Sequence, residues 1–181
     1  MSNELDNYDD DRAFLIELFK EDIANSEILY SYFEEENINW IDDIDLVCSM
    51  VVKTLKNFTE DSQEILPLYK DKEDEVFFVK ELFRKTINLN SENESLIDEL
   101  TKNWELDRIA KMDVILMKMA ITEMQVFSNV PTKVTLNEYI EISKFYSTPK
   151  SNTFINGVLD KAIDRLTKDK KINKVGRGLI N

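Results

Sequence analysis

The chain has 181 residues, of which 43% are hydrophobic and 33% charged, with a formal net charge of −13. This is globular composition for one domain or two small ones, and the scarcity of glycine and proline predicts an all-α fold. Histidine is absent and there is one cysteine, which excludes Ser-His and Cys-His catalysis, HExxH metal sites and an internal disulfide framework.

The N-terminal third predicts a helical unit over 11–71, preceded by an acidic tail, 1–10, that we expect to be flexible. Apolar residues recur at helical spacing over 11–36 and again over 41–58. "ELFK" at 17–20 recurs as "ELFR" at 81–84, and Trp40 recurs as Trp104, both at an offset of 64. The unit is therefore a possible duplication, although such short strings are also common in amphipathic helices.

Five more helices are predicted over 72–166. The one over 107–127 is apolar on nearly all sides ("VILMKMAITEMQVF"), so we expect it to be the central buried helix. Ser91 with Glu94, and Thr135 with Glu138, match capping boxes that would begin two others, and Pro149 after Thr148 predicts the start of the last helix. No apolar run approaches the roughly 18 residues of a membrane span, and no signal peptide is evident, so we expect a cytoplasmic protein.

Charge divides the chain unequally. Residues 1–110 carry 29 acidic and 11 basic residues, whereas residues 111–181 carry 7 acidic and 12 basic ones. The last 15 residues, 167–181, form a basic tail. Any contact with phosphate is therefore expected in the last third, while the acidic part suits a basic partner or a solvated surface. Neither catalytic residues nor a metal site are expected.

Three strings in the last third occur in order: "ITEM" at 121–124, "NVPTKVTLNEYIE" at 129–141 and "FINGVLD" at 154–160. Their content and spacing resemble the NusB family of bacterial transcription antitermination factors. The resemblance is specific over about 105–165 and reaches back to about 72, so the preceding helices look like an added or duplicated unit of a longer family member.

The resemblance implies an all-α fold of two packed helical bundles, with about seven helices. It also implies binding of boxA-type single-stranded RNA in ribosomal RNA transcripts, together with NusE, which is a small-subunit ribosomal protein. Within the antitermination complex this helps RNA polymerase read through terminators. Such binding needs no cofactor, so we expect a non-enzymatic protein.

The predicted RNA-binding residues are basic, aromatic or polar side chains of the last third. They are Lys133, Lys144, Phe145, Tyr146, Lys150, Ser151, Asn152, Lys170, Lys171, Lys174 and Arg177. The residues before the last helix lie near a helix N-terminus, whose free amides favour phosphate, and the basic tail could follow an RNA backbone as a flexible arm. Ordinary solvation of the lysines and core packing of Tyr146 are the alternative interpretations.

The predicted partner-binding residues are Asp107, Lys111 and Asp113, at the start of the central helix. The resemblance sets Asp113 against a basic side chain of the partner; in so apolar a helix this carboxylate must be either exposed or paired. Glu123 is expected to accept hydrogen bonds from backbone amides.

Four residues of the family strings are predicted to be structural: Asn137, Glu138, Asn156 and Gly157. Lacking a Cβ, Gly157 would allow a close helix crossing, and Asn156 would hydrogen-bond beside it.

One departure from the family pattern bears on function. The family begins with an arginine-rich helix, whereas Arg12 is the only arginine here before Arg84, so partner binding is expected to survive better than RNA affinity. Two alternatives follow: a helical scaffold that binds a basic ribosomal partner without RNA, and a detached RNA-binding domain of a ribosomal RNA methyltransferase.

Overall fold

The computed structural model describes residues 7–102 and 109–174, and every regular element in those ranges is helical. The helices are α1 (Tyr8–Leu18), α2 (Glu27–Glu36), α3 (Trp40–Asn57), α4 (Lys72–Asn88), α5 (Asn90–Leu100), α6 (Lys111–Val126), α7 (Thr132–Tyr146) and α8 (Ser151–Lys168), with a π-helical turn at Phe19–Ile23. The all-α prediction is confirmed. The chain forms two compact units, Met1–Lys70 and Asp71–Asn181.

The first unit differs from its prediction at both ends of the segment 1–36. α1 begins at Tyr8, within the predicted tail, because Asn7 caps it by accepting the N–H of Asp9 at 3.1 Å. The helix predicted over 11–36 is two helices. Ser26 ends the continuity, since its hydroxyl accepts the N–H of Leu29 at 3.4 Å and so caps α2.

Two long-range hydrogen bonds join the helices of the first unit. The Arg12 guanidinium donates to the carbonyl oxygen of Phe58 at 2.7 Å, which ties α1 to the end of α3. The Tyr30 hydroxyl donates to the Asp45 carboxylate at 2.7 Å, which ties α2 to α3. That hydrogen bond, with some burial, raises the pKa of Tyr30 to about 12.

The second unit is built around α6, which packs against α4, α5, α7 and α8. Its buried apolar side chains include Met117, Ala120 and Ile121, none of which is exposed at all. They meet Ile97 of α5 and Leu159 of α8 in one core. Each large aliphatic side chain so buried stabilises the fold by roughly 1.5–3 kcal/mol. The prediction that this helix is central and buried is confirmed.

A buried amide fixes α5 against α6. Asn93 is 1% exposed, and its amide nitrogen donates to the Thr122 hydroxyl at 2.8 Å and to the Lys118 carbonyl oxygen at 3.2 Å. Its carbonyl oxygen accepts from the Gln125 amide at 3.4 Å. The polar group is thereby satisfied inside the core, as burial requires.

Three of the predicted helix starts of the second unit, those of α5, α7 and α8, are wrong. α5 begins at Asn90, before Ser91, and α7 begins at Thr132, directly after Pro131. Thr135 lies one turn inside α7 and is fully buried, so it cannot cap that helix. Glu138, its predicted capping partner, and Asn137 are exposed on α7. α8 begins at Ser151, two residues after Pro149.

The close helix crossing predicted at Gly157 is also wrong. A Cβ built on Gly157 meets no other heavy atom of the described residues within 4 Å, and the residue is exposed. Asn156 donates to Asp160 of the same helix at 3.3 Å. Gly157 therefore lies on an open face of α8 rather than at a close helix crossing.

Candidate nucleic-acid interface at the α7–α8 connection

The connection between α7 and α8 brings together most of the predicted RNA-binding residues. Lys144, Phe145 and Tyr146 end α7, and Lys150 precedes the first residue of α8. The two aromatic side chains are 53% and 48% exposed, and both lysines are exposed. Cations and accessible aromatic rings are thus within a few residues of one another, as single-stranded nucleic acid binding requires.

A buried carboxylate supports this connection from below. Asp113 is 4% exposed; its Oδ1 accepts from the Ser147 hydroxyl and its Oδ2 accepts from the Ser151 hydroxyl at 2.8 Å. The Ser151 hydroxyl oxygen in turn lies 3.2 Å from the N–H of Thr148 and 2.8 Å from its hydroxyl. Asp113 is therefore paired within the chain, and its predicted contact with a partner does not agree with this placement.

Ser151 and the α8 N-terminus do not match their predicted roles either. Ser151 is 2% exposed and its hydroxyl serves Asp113, so it is not a surface group. Its N–H donates to the Thr148 carbonyl oxygen at 2.9 Å, and the N–H of Thr153 donates to the Asn152 side chain at 2.6 Å. These two amides are thus used inside the chain, which leaves the cationic side chains as the main groups that could hold phosphate.

The remaining predicted lysines of α7 differ in place and partner. Lys144 forms an ion pair with Glu141 at 2.6 Å, and both side chains are about half exposed. Exposed pairs of this kind stabilise a protein by at most about 1 kcal/mol, so Lys144 can exchange Glu141 for a phosphate at low cost. Lys133 is exposed near the other end of α7, about 16 Å away along the axis at the helical rise, and it does not belong to the same surface.

A groove along α8 extends the candidate surface beyond the predicted residues. It has a volume of about 530 Å³ and is lined by Lys150, Thr153, Phe154, Gly157, Val158 and Lys161. The glycine leaves room at its centre, and a lysine stands at each end. Phe154, Val158 and Lys161 were missed by sequence reasoning, although their spacing from Lys150 by whole helical turns along one face could have found them.

The basic tail folds back onto the second unit as far as it is described. Ile172 packs against the core, and the Lys174 ammonium donates to the carbonyl oxygen of Phe127 at 2.8 Å, at the C-terminal end of α6. Burial lowers the pKa of Lys174. Lys171 approaches Glu92 at 3.6 Å.

The prediction that the tail is a flexible arm is therefore wrong for Lys171 and Lys174, and RNA binding by these two residues stays a prediction. Lys170, exposed in the left-handed conformation with a φ of 55°, ends the turn after α8. Arg177 lies outside the described residues.

Of the predicted partner-binding residues, Lys111 is exposed at the first position of α6. Asp107 lies outside the described residues. Among residues 7–102 and 109–174, no three acidic or cysteine side chains come together as a metal site. Nor does any helix in those ranges combine the length and hydropathy that crossing a bilayer demands.

A second buried carboxylate, Glu123, holds the other end of α7. It accepts from the Thr135 hydroxyl at 2.8 Å and from the Tyr139 hydroxyl at 3.0 Å. Its donors are thus side chains of α7 and not the backbone amides expected. Burial, together with this carboxylate, raises the pKa of Tyr139 well above its usual value.

A family model described as the NusB family matches residues 41–164, about two thirds of the chain. The chain belongs to the NusB family. The match begins at residue 41, near the start of α3, and so reaches further towards the N-terminus than the region in which the sequence resembles NusB most specifically.

Curated NusB relatives match the chain over part of their length. The transcription antitermination protein NusB of Salinibacter ruber is 47% identical over 103 residues, which cover 57% of this chain and 64% of the relative. That of Chloroherpeton thalassium is 39% identical over 104 residues, covering 58% and 49%. The chain therefore spans about half to two thirds of the length of the NusB proteins it matches.

A solved structure supports the NusB fold. T. maritima NusB superposes with a TM-score of 0.50 over 88% of this chain and 94% of that chain, at 24% sequence identity. At this identity the likeness concerns the fold alone. It agrees with the all-helical architecture of the described residues.

Proposed function

We propose that the protein is an RNA- and protein-binding transcription antitermination factor. In this proposal it acts with NusE on boxA-type RNA of ribosomal RNA transcripts, in the cytoplasm, where transcription takes place. Membership of the NusB family supports the general role. The observation that carries the RNA part is the exposed basic and aromatic surface at the α7–α8 connection.

The chemistry of this surface suits single-stranded RNA. Lys144, Lys150 and Lys161 would contact phosphates, which is the largest and most salt-sensitive part of such binding. Phe145 would stack on a base, a contact worth about 1–3 kcal/mol. The groove beside Gly157 has room for a further base against its apolar lining. These groups lie on α7, on α8 or in the connection between them, and the core of the second unit holds both helices in place.

The partner part of the proposal rests on charge. Residues 1–110 have a balance of −18 and therefore attract a basic protein such as a ribosomal one. Lys111, exposed at the start of α6, remains the predicted partner-binding residue that the structure leaves accessible.

Fluorescence anisotropy of a labelled boxA-like RNA tests the proposal, with and without NusE and at two salt concentrations. Binding should be tighter with NusE and weaker at higher salt. Lys144→Ala, Lys150→Ala and Lys161→Ala should each weaken binding by roughly three- to tenfold and reduce the salt slope by about 0.7. Lys80→Ala, an exposed lysine on α4, is the matched control and should change neither quantity.

Two outcomes would contradict the proposal. If the alanine variants of Lys144, Lys150 and Lys161 lose no more RNA affinity than Lys80→Ala does, the α7–α8 surface does not bind RNA. No RNA binding at low salt, with NusE still bound, would leave the scaffold alternative, in which the acidic surface recognises a basic partner without RNA.

A further inference from the structure

α6 carries two buried carboxylates near its opposite ends, and each is bound by two hydroxyl groups. Glu123 accepts from Thr135 and Tyr139, in the first half of α7. Asp113 accepts from Ser147 and Ser151, on either side of the α7–α8 connection. The two groups are alike in burial, at 6% and 4% exposed. Of the two, Asp113 is the one whose hydrogen-bond partners adjoin residues of the candidate RNA surface.

We propose that Asp113 is a positioning residue for RNA binding, which it supports without contacting RNA. This inference rests on the proposed function of the α7–α8 surface. Asp113 would act through the two serines that it binds, by fixing the end of α7 relative to the start of α8.

The two serines that bind Asp113 are adjacent in sequence to residues of the candidate RNA surface. Ser147 is the C-cap of α7 and directly follows Tyr146; Ser151 is the first residue of α8 and directly follows Lys150. Asp113 therefore holds two serines that are adjacent in sequence to surface residues, one to Tyr146 and the other to Lys150. Only three residues, 148–150, connect the two anchors, so little freedom remains between them.

Hydrogen accounting explains why the anchor is a carboxylate. Each serine hydroxyl has one hydrogen and lies within hydrogen-bond distance of Asp113, which as a carboxylate accepts only, so both hydrogens are donated to it. The Ser151 oxygen is then left to accept from the N–H and hydroxyl of Thr148. An asparagine would turn an NH₂ group towards one of the serines and force that hydroxyl to reorient, which breaks this order of donors.

The test compares Asp113→Ala and Asp113→Asn with Glu123→Ala, which removes the matched carboxylate at the other end of α6. Amide hydrogen exchange of the full-length free protein is measured over residues 147–152, and RNA affinity is measured with and without Lys150→Ala. Ser147→Ala, at a half-buried position, removes one of the two bonds and serves if Asp113→Ala does not fold.

We expect exchange over residues 147–152 to rise by about tenfold or more in the Asp113 variants and to stay unchanged in Glu123→Ala. Lys150→Ala should weaken RNA binding several-fold in the wild type and in Glu123→Ala, but by less than about twofold when Asp113 is replaced. Such coupling is the sign of two residues acting together, and a loss of stability alone would not produce it.

Unchanged exchange, or an equal effect of Lys150→Ala in all backgrounds, would overturn the inference. If the wild type binds no RNA with or without NusE, the proposed function fails, and the RNA role of Asp113 with it. Exchange would then still report whether the carboxylate orders the connection, so the two failures are distinguishable.

Discussion

Replacing Gly157 by alanine is expected to stabilise the protein by roughly 0.5–1 kcal/mol, the amount by which glycine weakens a helix interior. The position lies in the middle of α8, and an added Cβ meets no heavy atom of the described residues within 4 Å. The free energy of unfolding of Gly157→Leu should lie within about 0.5 kcal/mol of that of Gly157→Ala, because leucine has nearly the same helix propensity as alanine.

Urea unfolding followed by circular dichroism measures the free energy of unfolding of both variants. The comparison holds if the slope of this free energy against urea concentration is the same as in the wild type. A close helix crossing would give the opposite result, a loss of stability that grows from alanine to leucine. That result would refute the open groove. The leucine variant should also weaken RNA binding by about tenfold, the loss of one base contact, whereas Thr167→Leu, on the exposed end of α8, should not.

Two further predictions concern buried polar contacts. Tyr139→Phe should lower the free energy of unfolding by about 1.5–3 kcal/mol, since it removes a donor from the charged Glu123; in a Glu123→Gln background the loss should be clearly smaller, and an equal loss would deny the pairing. Lys174→Met should cost about 1 kcal/mol at pH 7, for the bond to Phe127. Folding lowers the pKa of Lys174, so as the pH approaches 10.5 the unfolded state binds more protons than the folded state. The free energy of unfolding of the wild type should therefore rise relative to that of Lys174→Met from pH 7 to pH 10. A fall in this difference would contradict the prediction.

Much of the fold could be predicted from hydrophobic periodicity. The nearly continuous apolar sequence of α6 indicated a central helix, and α6 is one. Helix starts were harder, because a threonine three residues before a glutamate matches a capping box whether or not the helix begins there. At α7 the backbone turns at Pro131, and Thr135 is needed instead as a buried donor to Glu123.

The site could be predicted in part. Lys144, Phe145 and Lys150 are exposed, and because they lie within seven residues of one another, the sequence was enough to predict that they share a surface. Asp113 was left open as exposed or paired, since its serine partners are 34 and 38 residues away. The tail was mispredicted because its contact partners are also distant in sequence. Its lysines suggest a solvated arm, but Ile172 among them packs against the core.

The return of residues 171–174 onto the second unit has a consequence for biosynthesis. Ile172 packs with the core, Lys171 meets Glu92, and Lys174 closes over the end of α6. These contacts join the last described residues to partners up to about 80 positions earlier, and such distant pairings form late. The second unit therefore completes its packing only after residues 171–174 have been synthesised and have left the ribosome.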